Sequence, residues 1–369
     1  ILTCLVPKWF VAMFGGSLSF GRRLVPVALI AIIFPGTILH PLSDLPALLL
    51  AWGGLYCIYR AKAARGVSRW ALFAWLVGAG ILSGAASNTR TIYMFMIPAS
   101  MLLAALLFPR ARMACVSAAV AGLALASLPQ AAFNLKVNKE FNPMVIVPMG
   151  QNSLFVVHLL VGVTTQRYET SYLFGGFAYR DPAGEQLAKK LRVHQPLPAH
   201  ADLLAGIAPT VHISDYLQMV GKYPLEFLGI YARHAVNGLD VRDGRSYVKT
   251  FSARRNAISV FNFLVLALAA WTLLAHRSEQ ARAGPTQGAA PFWWVGLLAL
   301  LLPVAAILPG VVETRFFLPL HLLAYCVIAF HCRPQGWWTQ AKSHPLWLLV
   351  TTVIACLYFS IVLSAMAQG

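Results

Sequence analysis

The chain is expected to be an all-α polytopic membrane protein with one large extracytoplasmic loop, and three observations predict this. Hydrophobic residues make up 59% of the 369 residues and charged residues only 11%, whereas a soluble domain is about half apolar and about a quarter charged. The mean hydropathy is +0.67. The apolar residues fall in runs divided by short polar turns, and a run of roughly 20 such residues crosses a bilayer as a helix.

About ten spans are predicted on that basis, at 1–20, 24–39, 45–59, 70–86, 91–108, 112–131, 256–275, 291–310, 316–331 and 345–366. Lys8 interrupts the first, and the short second and third read as a tight hairpin. The chain divides into N-terminal spans (1–131), the loop (132–255) and C-terminal spans (256–369). The first residue is Ile1, and no basic segment with a cleavage site precedes the first apolar run. That run is therefore read as a span rather than a signal peptide, and further sequence upstream of it is expected.

Orientation follows from the basic residues. The turns at 22–23, 60–69, 110–112, 277–282 and 333–342 carry twelve Lys/Arg and one acid, Glu279, whereas the short turns on the other side carry Arg90 and Arg315. An excess of Lys/Arg marks the cytoplasmic side, so 40–44, 87–90, the long loop and 313–315 are expected outside. The net charge of +17 follows this topology and does not call for nucleic acid. The six cysteines lie in apolar runs or at their cytoplasmic ends, which gives no disulfide framework and no zinc spacing.

The loop carries 14 Lys/Arg and nine acids. Two of its stretches read as interfacial helices, 153–165 and 211–238, the second broken before Pro224 and bearing Tyr216, Tyr223 and Tyr231 among apolar residues. Residues 179–208 read as loop with one short helix. His158 and His234, on apolar faces, read as packing residues.

The candidate site residues are those that place charge at the outer boundary. Asp44, in His40-Pro41-Leu42-Ser43-Asp44, is a candidate base or metal ligand, and Ser43 or Asp44 equally suits the N-cap of the helix that follows. His40 beside it is a candidate substrate contact. Glu313 and Arg315 stand where an outward turn re-enters the membrane, and ionisable groups at such depth face a cavity or a partner. They either neutralise each other or present a guanidinium fork suited to phosphate oxygens. Arg90 has the same two readings, a site residue or a side chain reaching to headgroups. Arg167, in Gln166-Arg167-Tyr168-Glu169, and Arg245, near Arg242 and Lys249, suit either anionic lipid or a specific phosphate. No nucleotide-binding, HExxH or nucleophile-elbow motif is present.

The short acidic outward loop, the large extracytoplasmic loop and the late segment Glu313-Thr314-Arg315-Phe316-Phe317-Leu318-Pro319-Leu320 together resemble the GT-C superfamily of membrane glycosyltransferases. The closest likeness is to bacterial relatives of protein O-mannosyltransferases and of the lipid A aminoarabinose transferase (glycosyltransferase family 39-like). The resemblance implies transfer of a sugar from a polyprenyl phosphate to a lipid, glycan or protein acceptor, with inversion, at the outer face of the bacterial inner membrane. Arg315, Arg90 and the loop arginines, or a divalent metal such as Mg or Mn, would stabilise the leaving phosphate. Asp44 and Glu313 would orient the acceptor or hold that metal. In the family the usual catalytic carboxylate lies in the first outward loop. Residues 1–20 correspond to the second helix, so that base is expected upstream of Ile1. Two rival readings are an O-antigen ligase or polymerase, which would draw on Arg167, Arg245 and His234, and a transporter or non-catalytic membrane subunit.

Overall fold

A computed structural model describes residues 1–39, 42–64, 66, 68–145, 148–149, 152–170, 176–190, 212–242, 256–283, 292–332 and 346–368. Two site candidates, His40 and Arg245, lie outside the described residues.

The chain is a helical membrane protein. Among the described residues, four helices are long and apolar enough to cross a bilayer: Arg69–Thr89, Arg112–Val137, Ala257–Leu274 and Thr314–His331. Several expected spans are broken into shorter pieces, for local reasons. Helix α1 (Leu5–Phe14) stops at Gly15 and Gly16, whose positive φ angles of 83° and 113° suit glycine. Helix α2 (Phe20–Ile33) gives way at Phe34-Pro35 to the single turn α3 (Gly36–Leu39), because proline cannot continue the hydrogen-bond ladder. Helix α4 (Asp44–Ala64) matches α5 (Arg69–Thr89) in length but carries Asp44, Arg60 and Lys62 near its ends. A 3-10 turn (Thr91–Phe95) leads into α6 (Met96–Leu107), and α7 (Arg112–Val137) extends beyond the expected boundary at residue 131.

Helices α5 and α7 cross with backbones nearly touching. A Cβ placed on Gly80 would lie 1.9 Å from Ala119 O, and one on Gly122 would lie 2.0 Å from Val77 O. Such small-residue seams replace the hydrophobic drive that lipid cannot supply. Away from that seam α7 turns Val120, Leu125 and Leu128 outward, as a lipid-facing helix should.

The segment between α7 and the C-terminal helices contains the two-residue strands β1 (Pro148–Met149) and β2 (Asn152–Ser153), then α8 (Leu154–Thr164). An antiparallel hairpin follows, β3 (Thr165–Thr170) with β4 (Gly176–Arg180), where the sequence reading placed no strand. Helix α9 (Pro182–Lys190) is the short helix expected within 179–208. The long interfacial helix divides at Tyr223-Pro224 into α10 (Ile213–Lys222) and α11 (Pro224–Leu239). These elements share a small core of Leu159, Leu160, Val163, Leu187, Tyr216 and Phe227. The chain returns through α12 (Asn256–Ala283), α13 (Leu297–Ile307), α14 (Leu318–His331) and α15 (Leu346–Gln368). Helix α14 is the central one. Its Tyr325 and Phe330 belong to the main apolar core with Phe10, Phe34 and Trp52.

Candidate functional site

The site forms where α4 begins, α5 ends and α14 is about to begin. Helix α4 starts at Asp44 itself, and Ser43 O accepts the Ala47 N–H at 3.0 Å. Pro46 falls in the first turn, where its missing N–H has no intrahelical partner in any case. The Asp44 carboxylate turns to Arg90. Its Oδ1 lies 2.5 Å from Arg90 Nη1, and its buried Oδ2 makes no hydrogen bond. Arg90 follows the last residue of α5 in extended conformation, its N–H donating to Ala86 O. A cation there also complements the helix dipole. Asn88, two residues earlier, donates to Ala126 O at 2.9 Å and ties this end of α5 to α7.

Glu313 and Arg315 come from the turn between α13 and α14. Arg315 Nη2 donates to Glu313 Oε1 at 3.1 Å, and its Nε lies in ionic contact 2.7 Å from Oε2. Nη1 is 4.0 Å from Asp44 Oδ2, so Arg315 reaches both carboxylates. Phe316 lies beneath the two cations, with Arg90 Cζ 4.9 Å and Arg315 Cζ 5.5 Å from its ring centroid. Each guanidinium is thus oriented by a carboxylate and an aromatic face, while Arg90 and Arg315 keep 19% and 20% of their side-chain surface exposed. Buried Tyr93 stands in the field of Asp44 and Arg90.

The segment from α8 to α11 bonds to the turn that presents Glu313. Val311 N–H donates to His158 O at 3.0 Å, and Tyr168 N–H donates to Val312 O at 2.8 Å. Tyr216 Oη donates to Pro309 O at 3.0 Å. His234 Nδ1 sits 2.6 Å from Leu308 O, and its Nε2 sits 3.1 Å from Thr165 O. Both carbonyls are acceptors, so a neutral ring satisfies one and an imidazolium both. Burial lowers the His234 pKa, against the pull of the two carbonyls and of Asp181. Gly162 and Gly310 let α8 rest on the turn: a Cβ on Gly162 would come within 2.5 Å of Gly310 C.

Tyr168 borders the cluster. Burial first, then Glu313, raise its phenol pKa, and Arg315 opposes them. Arg167 is its neighbour in β3 and serves elsewhere. It donates to Asp240 O at 2.7 Å and lies 3.5 Å from Asp240 Oδ2. Asp240 also accepts from Arg242 Nε at 2.8 Å, from Ser360 Oγ at 2.7 Å and from Ser259 Oγ. That buried hub joins β3, the end of α11, α12 and α15, and Arg167 is part of it. The sequence reading of Arg167 as a substrate contact thus meets an arginine engaged with a buried carboxylate.

His158 was read as packing, yet it has a polar neighbourhood. Its Nδ1 is buried without a hydrogen bond. Burial first, then the charges of Arg90 and Arg315, lower its pKa to about 4. The available signal was one ionisable side chain inside the otherwise apolar stretch Leu154–Thr164.

Among the described residues, no three His, Cys, Asp or Glu side chains group as a metal-ligand set. The two carboxylates here are each engaged by a guanidinium, which is a poor donor set for a divalent cation. Comparisons with family models, with curated proteins and with solved structures find no match to this chain.

Proposed function

We propose that the chain is a ten-span, GT-C-like membrane glycosyltransferase. It moves a sugar from a polyprenyl phosphate to an acceptor hydroxyl or amine at the extracytoplasmic face of a bacterial inner membrane. The observation that carries this reading is the meeting of Asp44, Arg90, Glu313 and Arg315, from three separate segments, at one end of the helices. The likeness of 313–320 to GT-C enzymes supports it. So does the engagement of Arg167 and His234 inside the protein, which disfavours a ligase centred on the loop.

The chemistry needs little beyond these groups. Arg90 and Arg315, held by Phe316 and their carboxylates, take the phosphate oxygens as a planar fork suits. The acceptor oxygen or nitrogen attacks the anomeric carbon on the face opposite the phosphate. As that bond forms, the anomeric C–O bond breaks, its electron pair leaves with the polyprenyl phosphate, and the configuration inverts. The acceptor proton passes to a general base on the acceptor side, opposite the phosphate, while Asp44 orients Arg90 and lies beside Arg315. Such base assistance contributes roughly 10²–10⁴-fold. Glu313 positions Arg315.

The test is donor binding and transfer by the purified chain in lipid vesicles, using labelled polyprenyl-phosphate sugar. Arg315→Ala is expected to weaken donor binding about ten- to hundredfold, the worth of one charge-assisted contact, with a smaller effect on melting. Normal binding by an unstable variant would make Arg315 only the structural partner of Glu313.

A further inference from the structure

His158 sits at a junction of the two segments that supply the site cations. One turn before it on α8, Phe155 packs on Phe95, with ring centroids 6.4 Å apart, in the 3-10 turn that follows Arg90. The His158 carbonyl accepts the Val311 N–H, two residues before Glu313. The face of α8 bearing Phe155 and His158 therefore spans from the Arg90 segment to the Arg315 segment. Arg90 and Arg315 both act on the imidazole, and both lie beside Asp44. Asp44 Oδ2 and His158 Nδ1, two buried atoms that make no hydrogen bond, thus both lie in the field of the same two guanidiniums.

Buried polar atoms are almost always hydrogen-bonded, and an exception calls for an explanation. Packing does not supply one, because a phenyl ring would fill the same space without a polar atom to bury. Nor is phosphate the natural partner of this ring. Phosphate oxygens only accept hydrogen bonds, and two guanidiniums already suit them. A second proton on the imidazole would be opposed by both of those cations. A neutral imidazole offers one donor and one acceptor, which matches hydroxyl groups, each able to give and to take.

We propose that His158 contacts hydroxyls of the sugar carried by the lipid phosphate, while Arg90 and Arg315 hold the phosphate. This rests on the lipid-phosphate reading of the site and divides the substrate between its residues. His158 is a recognition residue that discriminates sugar-bearing lipid from bare lipid.

The experiment uses the whole chain in detergent at neutral pH and two probes, farnesyl phosphate and mannosyl farnesyl phosphate. Wild-type protein is expected to bind the mannosyl probe more tightly than the bare one. His158→Phe should lose about tenfold on the mannosyl probe, the scale of one hydrogen bond whose partner is left unpaired. Binding of the bare phosphate and the melting temperature should stay unchanged, since Nδ1 has no protein partner to lose. His158→Gln, which keeps a donor and an acceptor, should recover part of the difference. Arg315→Ala should weaken both probes alike. Equal loss on both probes, a marked fall in melting temperature, no loss at all, or no wild-type preference for the sugar would each overturn the assignment. Wild-type protein that binds neither probe would sink the lipid-phosphate reading itself, and this proposal with it.

Discussion

A single methyl group placed at residue 162 should loosen the seam between α8 and the turn that presents Glu313. The Cβ of Gly162→Ala would lie 2.5 Å from Gly310 C, 2.8 Å from Val311 N and 2.9 Å from Gly310 Cα. Carbon contacts settle at about 3.5–4.0 Å, so helix and turn must separate by about 1 Å. All three obstructing atoms are backbone, so no side chain can rotate aside. The 3.0 Å bond from Val311 N–H to His158 O crosses the same seam and would stretch beyond useful length. Overpacking costs about 1–3 kcal/mol, and the weakened hydrogen bond adds about 1 kcal/mol. Gly221, exposed near the end of α10, provides the control, since an added Cβ there meets nothing within 4 Å. Alanine there removes the glycine penalty of about 0.5–1 kcal/mol. The same chemical change in one segment should therefore have opposite signs. Melting in detergent, with hydrogen exchange read at the Val311 and Tyr168 amides, measures both. A Gly162→Ala protein that melts with the wild type and keeps Val311 protected would refute this account of the seam.

Two further outcomes are expected. The folded pKa of His158 is lowered to about 4 from the ordinary 6.5, so the unfolded chain takes up the proton first on acidification. The resulting stability is complete above the unfolded value and is lost as pH falls from about 6.5 to about 4. His158→Phe should flatten that limb of the stability curve relative to wild type, and matching slopes would show that the ring does not titrate there. Topology can be read with single cysteines in a cysteine-free background, placed at exposed Lys190 and Arg110. Reagent added outside should label position 190 and not position 110, and the reverse pattern would invert the orientation.

What could be read from the sequence was what rests on local pattern. The break before Pro224 and the bounds of α8 follow from proline and from an apolar run, and the structure places both within a residue or two of the sequence reading. The β3–β4 hairpin was missed because Thr165 to Thr170 shows no clean apolar alternation, although an aromatic-rich stretch with Gly175-Gly176 follows it and such a pair is a turn cue. At the site, each charged residue could be named singly, because a charge at a membrane boundary stands out against its neighbours. Their partners could not be named. Asp44 and Arg90 are 46 positions apart, and only the antiparallel packing of α4 on α5 brings them together. Arg167 points to Asp240 while its neighbour Tyr168 bonds to Val312, a division set by strand geometry. His158 was hidden by its surroundings, since one imidazole in a greasy helix reads as filler until its neighbours in space are known.

The seam on the Leu308 to Val312 turn also constrains how this protein can diverge. Four of its fastenings end on main-chain atoms of the turn: the carbonyls of Leu308, Pro309 and Val312 and the amide of Val311. Peptide groups are the same whatever side chain they carry, so an apolar exchange at 308, 311 or 312 leaves every bond available. Position 162 has no such latitude, because there the missing side chain is what permits the approach. In related proteins with this architecture, the residues flanking the turn should drift freely among apolar types of similar size. Gly162 should stay fixed, a pattern that an alignment of relatives would expose.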